Sequence, residues 1–220
     1  MPPGSGPRRP LRGLSSAAGF VLAAAVVFGC GSAAFDPLSP CSADAKAAGD
    51  YPALEALVPK QFDDRAPDRV DSGRSCTPTA LGSLVAHDVA ELRFAGSTWD
   101  LGSGGGVTLA VLEADSLDAA WVAEFYQAGA RVARNTETVD RTTMTLPDGR
   151  YATRIDTLNG ESYQTVVVWP DGARVRVALV ASAIREVQTK NAHEAVVAAA
   201  LAAAFPAAAF ATPPSRRDPG

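Results

Sequence analysis

The residues best suited to acid–base chemistry are the two histidines, His87 and His193. A serine or cysteine nucleophile needs a histidine base within hydrogen-bond reach and a third group that orients that base. His87 precedes Asp88 near the predicted end of a short helix, and His193 falls in the first turn of the predicted last helix. No serine stands in a G-x-S-x-G pattern. We therefore interpret both histidines as surface residues, assign no catalytic residue, and lean against an enzyme.

Two further patterns lack the spacing that their binding sites require. The glycine-rich residues 102–106 miss the third glycine of a dinucleotide fingerprint, where Val107 stands, and no P-loop lysine follows them. Asp63, Asp64 and Asp68 lie outside any D-x-D-x-D-G calcium loop. We interpret the first pattern as a hairpin connection and the second as a solvated acidic loop. No cofactor and no metal site is predicted.

Turn signals and alternating apolar residues predict an antiparallel sheet. Three Asp-Gly or Asn-Gly pairs separate β-rich runs over residues 138–181 and indicate a four-stranded meander. Runs at 89–94 and 107–113 predict a preceding hairpin, and helices are predicted at 116–131 and after Asn191. This order predicts an α+β fold, in which the antiparallel sheet packs against amphipathic helices in two layers. The three pairs are Asp148-Gly149, Asn159-Gly160 and Asp171-Gly172.

The hairpin register divides the meander into two faces. With two-residue loops at the second and third pairs, Thr165 lies opposite Arg154. By the same rule Arg174 lies opposite Trp169. One face is nearly all apolar and must be core, whereas the other could bind an anionic or aromatic ligand or a partner surface. The alternative is an ordinary solvated face on which Arg174 stacks on Trp169 and Asp156 pairs with an arginine. The candidate binding face consists of Arg154, Tyr163, Trp169, Arg174 and Arg176.

The first 30 residues have the layout of an export signal. Three arginines precede the uncharged run 14–29, which is short for a membrane span of about 20 residues. The run ends in Val27, Phe28, Gly29 and Cys30. This order resembles the lipobox of bacterial lipoprotein precursors, in which lipid is attached to the cysteine and the preceding residues are removed. Val27 and Gly29 match that pattern, and Phe28 is bulkier than its usual residue.

The resemblance implies that residues 1–29 are a signal peptide and that Cys30 is acylated, which anchors the protein to the membrane outside the cytoplasm. An uncleaved N-terminal anchor and a secreted, unlipidated protein are the alternatives. With Cys30 acylated, two of the three cysteines remain, Cys41 and Cys76, and an oxidising compartment allows them to form a disulfide.

The remaining chain divides into four predicted segments. Residues 30–50 form a flexible tether, 51–88 a small helical and loop segment, 89–210 the α+β core, and 211–220 a disordered tail. This part is loosely similar to uncharacterised small α+β envelope lipoproteins, and no activity follows from that likeness.

Net charge narrows the classes of partner. The chain has 20 basic and 24 acidic residues, and residues 1–29 hold three of the arginines and no acid, so the rest carries a formal charge of −7. Such a chain is poorly suited to nucleic acid. Besides the membrane, which the lipid anchor engages, an envelope protein or a small anionic ligand remains as a partner.

We expect a non-enzymatic binding or accessory protein. One alternative is an envelope hydrolase, which a Ser–His–Asp cluster in a deep pocket would favour. The other is a structural or inhibitory protein that acts through a sheet edge, which an unpaired, uncharged edge strand would favour.

Overall fold

One antiparallel sheet of eight strands organises the chain, as the computed structural model shows for residues 35–187 and 189–205. The spatial order of the strands is β1-β2-β3-β4-β8-β7-β6-β5, so two meanders meet where β4 pairs with β8. This confirms the α+β class and the antiparallel sheet. The strands are β1 (Ala45–Ala47), β2 (Arg69–Ser75), β3 (Leu92–Gly102), β4 (Gly105–Glu113), β5 (Thr136–Thr145), β6 (Tyr151–Asn159), β7 (Ser162–Asp171) and β8 (Arg174–Ala183). The helices are α1 (Pro52–Glu55), α2 (Pro78–Leu81), a 3-10 helix (Gly82–His87), α3 (Ala119–Val132), α4 (Ile184–Val187) and α5 (Lys190–Ala204).

The strands reverse at the predicted turns, but the register of two hairpins differs from the prediction. Asn159 pairs with Ser162, and Asp171 pairs with Arg174. Each loop therefore begins at the glycine, and in the second loop Gly172 has a φ of +65°. A positive φ at this position is typical of the tight turns that join hairpin strands, whereas Gly160 is not among the residues with a positive φ.

The altered register changes the cross-strand partners and leaves the faces intact. Arg154 lies opposite Val167, and Trp169 lies opposite Arg176 instead of Arg174. Side chains alternate with a period of two along a strand, and each pairing has moved by two residues. The division of the meander into two faces is therefore the predicted one.

Helices lie on both faces of the sheet, so the expected two-layer packing with one solvated face is not confirmed. On one face α3 packs against β6 and β7, where Val122 and Ala123 are buried in a cluster with Val168. The adjacent residue Trp169 points to the opposite face and is buried with Val197 of α5. The face that is predicted to be polar also carries large apolar side chains, among them Trp169, and α5 packs against them.

Among the described residues the chain packs on the sheet from residue 35 onward, within the stretch 30–50 for which a flexible tether is predicted. β1 pairs with β2, and Cys41 and Cys76 form the predicted disulfide across a Cα–Cα distance of 6.1 Å. The Asp44 carboxylate accepts hydrogen bonds from the N–H groups of Cys76 and Thr77 at 2.8 and 3.0 Å. A strand pairing, a covalent bond and the hydrogen bonds of Asp44 together hold a segment whose composition alone favours a linker.

The pairing of β1 with β2 depends on Gly73. A Cβ atom at Gly73 would collide with the carbonyl oxygen of Ala45 and would lie 2.9 Å from the Cα atom of Lys46. β2 is thereby enclosed between β1 and β3. Residues 51–88, predicted as a small helical and loop segment, thus also contribute a strand to the common sheet.

Several predictions concern residues that the structure does not describe. The signal peptide at 1–29, the acylation site Cys30 and the tail at 211–220 all lie outside the described residues. Within residues 35–187 and 189–205, no helix is both long enough and apolar enough to cross a membrane.

Removal of the Cys41–Cys76 disulfide tests how much this bond stabilises the fold around β1. The double variant Cys41→Ser/Cys76→Ser should lose about 3–4 kcal/mol of unfolding free energy, because the cross-link constrains the unfolded chain between the two cysteines. Urea denaturation measures the loss, and Cys30→Ser is the matched control that removes the cysteine outside the pair. Equal urea midpoints for wild type and double variant would contradict the prediction.

Candidate functional site

The five residues of the candidate binding face do not form one open surface. Trp169 is 1% exposed, and its ring centroid lies 5.4 Å from that of Phe205 beyond α5. Tyr163 lies 5.7 Å from the buried ring of His193. The common face predicted by alternation is real, and α5 covers the part of it that holds Trp169 and Tyr163.

Two of the three arginines are neutralised by nearby carboxylates. Arg174 donates from Nε to Oε2 of Glu113 at 2.7 Å. Arg176 donates from Nε to Oδ2 of Asp171 and from Nη1 to the carbonyl oxygen of Leu57, both at 2.7 Å. Their charge is therefore committed to pairs within the protein, which disfavours an anionic ligand here.

The third arginine belongs to a continuous chain of hydrogen bonds between α5 and the sheet. Arg154 donates to both carboxylate oxygens of Asp156 at 2.7 and 2.8 Å, and to Oε1 of Glu194 at 2.6 Å. The Thr165 hydroxyl donates to Oδ1 of Asp156 at 2.6 Å. Thr165 Oγ1 also lies 2.9 Å from Nε2 of His193. The chain thus connects β6, β7 and α5.

The directions of these bonds determine the tautomer of His193. Because the hydroxyl proton of Thr165 goes to Asp156, the Thr165 oxygen accepts, and Nε2 of His193 must carry the proton. Nδ1 then accepts from the hydroxyl of Ser182 at 2.9 Å. His193 is 2% exposed, and this burial lowers its pKa, so the imidazole is neutral near pH 7.

Asp156 is the anion that joins Arg154 to Thr165 in this chain. Burial opposes its ionisation, but the hydrogen bonds from Arg154 and Thr165 outweigh that effect and hold the pKa of Asp156 below its ordinary value. Arg154 therefore pairs with two carboxylates, those of the partly buried Asp156 and of Glu194, and the histidine is left uncharged.

A small cleft of about 110 Å³ reaches this chain from solvent. Its lining includes Asp140, Tyr163, Lys190 and His193, and therefore carries charges of both signs. Ser182 does not line it. The cleft has room for only a few water-sized groups.

The chain contains the residue types of a Ser–His–Asp triad without the arrangement of one. In a triad the carboxylate contacts the imidazole directly and the serine meets the substrate. Here Thr165 stands between His193 and Asp156, and Ser182 is 4% exposed. The geometry suits a structural role, which is to satisfy polar groups buried between α5 and the sheet.

His193 is buried, so the prediction that it is a surface residue is wrong. The missed signal is its spacing: His193 precedes Val197 by four residues and Leu201 by eight, which puts it on the buried stripe of α5. Thr189, and not Asn191, caps the helix, with its hydroxyl accepting from the Ala192 N–H at 3.2 Å.

The other histidine is only partly buried. The side chain of His87 is 26% exposed, its Nε2 lies 3.1 Å from Oε2 of Glu124, and its ring stacks on Trp121 at 4.6 Å. Asp88 takes a left-handed conformation just after the 3-10 helix. These contacts connect that helix to α3.

The two remaining sequence patterns are parts of local structure. Residues 102–106 lie in a tight hairpin in which Gly102 pairs with Gly105. Asp68 accepts the N–H of Asp100 at 2.7 Å and lies 3.6 Å from Arg65. Within the described residues, no three histidine, cysteine or acidic side chains converge as metal ligands would.

Comparisons with known proteins add no relative. No protein-family model matches the chain, and no curated protein matches it.

Replacing Thr165 tests the hydrogen-bond chain. Thr165→Val keeps the shape of the side chain but leaves the buried N–H of His193 without an acceptor, so we expect a loss of about 1–3 kcal/mol in unfolding free energy. Thr157→Val is the matched control, since Thr157 is also buried in this sheet but lies outside the chain. Chemical denaturation compares the two variants, and equal losses would contradict the assignment.

The neutral histidine predicts a pH dependence. The pKa of His193 is lower in the folded than in the unfolded state. Below about pH 6.5 the unfolded chain therefore binds the extra proton, and the free energy of unfolding decreases as the pH is lowered. The slope from this group is at most about 1.4 kcal/mol per pH unit. His193→Gln should flatten the unfolding free energy between about pH 7 and pH 5, whereas His87→Gln should retain the slope. A slope unchanged in His193→Gln would refute this origin.

Proposed function

We propose that this chain is a lipid-anchored extracytoplasmic protein that acts as a non-enzymatic binding or accessory protein. The observation that carries the proposal is the Cys41–Cys76 disulfide, because such bonds persist in oxidising compartments outside the cytoplasm. It leaves one cysteine of the three, Cys30, and this residue stands where the lipobox-like order requires the acylated cysteine.

The geometry of the polar chain supports a non-enzymatic role over the hydrolase alternative. A serine hydrolase needs a serine that its substrate can reach, whereas Ser182 is buried and donates its proton to a histidine whose other nitrogen is occupied. The cleft beside His193 holds only about 110 Å³. Both features suit a group of residues that stabilise the fold.

The ion pairs favour a protein partner over a small anionic ligand. All three arginines of the candidate face are held by acidic side chains at 2.6–2.8 Å. The alternative of a partner that adds a strand at β5 is disfavoured, because Glu137, Asp140 and Arg141 place charges along that edge. A partner in the envelope that contacts surface side chains agrees best with these features.

Metabolic labelling with a palmitate analogue tests the anchor. We expect the wild-type protein to take up the label and Cys30→Ala to take up none, because Cys30 is the proposed acylated residue. The double variant Cys41→Ala/Cys76→Ala is the matched control and should still be labelled. Equal labelling of wild type and Cys30→Ala would contradict the proposal.

Fractionation of the same cells separates the two alternatives. Protein that stays in the membrane fraction without label would indicate an uncleaved N-terminal anchor, and protein released without label would indicate secretion.

A further inference from the structure

The position of Phe35, the first residue that the structure describes, limits how far the domain can lie from a lipid on Cys30. The Phe35 ring packs edge-on against Tyr51 at 5.3 Å, and the guanidinium of Arg74 lies 5.0 Å from its centroid. Only five residue steps separate Cys30 from Phe35, and an extended chain covers at most about 3.6 Å per step, or roughly 18 Å in all. A domain of about 170 residues has a diameter of roughly 40 Å, judged from its expected radius of gyration. The connection is thus shorter than the domain.

The surface beside Phe35 presents one large apolar side chain. Leu38 is 92% exposed, at the tip of a turn from Asp36 to Ser39. The Asp36 carboxylate accepts the N–H of Leu38 at 2.9 Å, and the Asp36 carbonyl oxygen accepts the Ser39 hydroxyl at 2.8 Å.

A side chain of the sheet also binds this turn. Arg74, itself 7% exposed, donates to the carbonyl oxygen of Ser39 at 2.7 Å. Leu38 is therefore presented outward by an ordered turn that buried contacts fix in place.

A single exposed leucine is ordinary on a protein surface and by itself indicates no partner. What distinguishes Leu38 is its place in the chain, eight residues after the proposed acylation site. With the domain confined to within roughly 18 Å of the anchor, the surface that carries Phe35 and Leu38 must be among those nearest the lipid. Transfer of an aliphatic side chain from water into that environment lowers the free energy of the system.

We propose that the turn Asp36–Ser39 is a membrane-contact surface, and that Leu38 enters the interface of the phospholipid bilayer when Cys30 is acylated. This inference rests on the proposed lipid anchor. It fixes an orientation, with the β1 edge of the sheet toward the membrane and the β5 edge away from it. Seven strand spacings of about 4.8 Å place these edges roughly 34 Å apart.

Quenching by brominated lipid tests this orientation. The acylated full-length protein is reconstituted into phosphatidylcholine vesicles with and without brominated acyl chains, and tryptophan emission is compared. Leu38→Trp should lose most of its added emission in brominated vesicles. The matched control is Val132→Trp, since Val132 is 85% exposed at the end of α3, beside β5. It should behave as wild type, in which Trp99 and Trp169 are buried and Trp121 is partly buried against His87. Both substitutions lie at exposed positions, and circular dichroism verifies folding.

The outcomes separate the inference from the proposed function. Protein that lacks the acyl group and does not float with the vesicles would overturn the lipid anchor and this orientation together. Acylated protein that floats with the vesicles while Leu38→Trp is quenched no more than wild type would overturn the orientation alone. Equal quenching of Leu38→Trp and Val132→Trp would also overturn it, because the two positions lie at opposite edges of the sheet.

Discussion

The hydrogen-bond chain from Ser182 through His193 and Thr165 to Asp156 is the constraint on which the second face of the sheet depends. Polar groups buried between a helix and a sheet are costly unless each one has a partner. Here the proton directions are mutually consistent, and they require one tautomer of the histidine. A shift of α5 along the sheet would break several of these bonds at once. The chain therefore selects one position for a helix whose remaining contacts are apolar and far less specific.

This arrangement also determines what the surface can offer a partner. Covering the second face buries Trp169 and leaves the arginines at its margins, where each meets an acidic side chain. Residues that suggest anion binding when they are considered alone are thus part of the protein's internal charge balance. The exposed features include a charged edge at β5 and, at the other end of the sheet, the turn that carries Leu38.

The sequence predicted the strand reversals and the two faces because both depend on local chemistry, namely turn pairs and a period of two. It could not distinguish a loop that starts at Asn159 from one that starts at Gly160, since either residue suits a turn. The fold of residues 35–50 depends on contacts far along the chain, such as that between Asp44 and Cys76. His193 looked like a surface residue because its partners come from two distant strands. Composition identifies neither kind of long-range contact.

The Cys41–Cys76 disulfide has a mechanical consequence. Tension applied at the N-terminal end of the chain reaches Cys41 before it reaches β1, which begins at Ala45. The covalent bond transmits that tension directly to Cys76, next to the end of β2, so the hydrogen bonds of β1 remain unstretched. In an oxidised protein the β1–β2 pair cannot be peeled apart from this end, and mechanical resistance passes to the interior strands. Reduction would reroute the same tension through β1, three residues long, which would then open first.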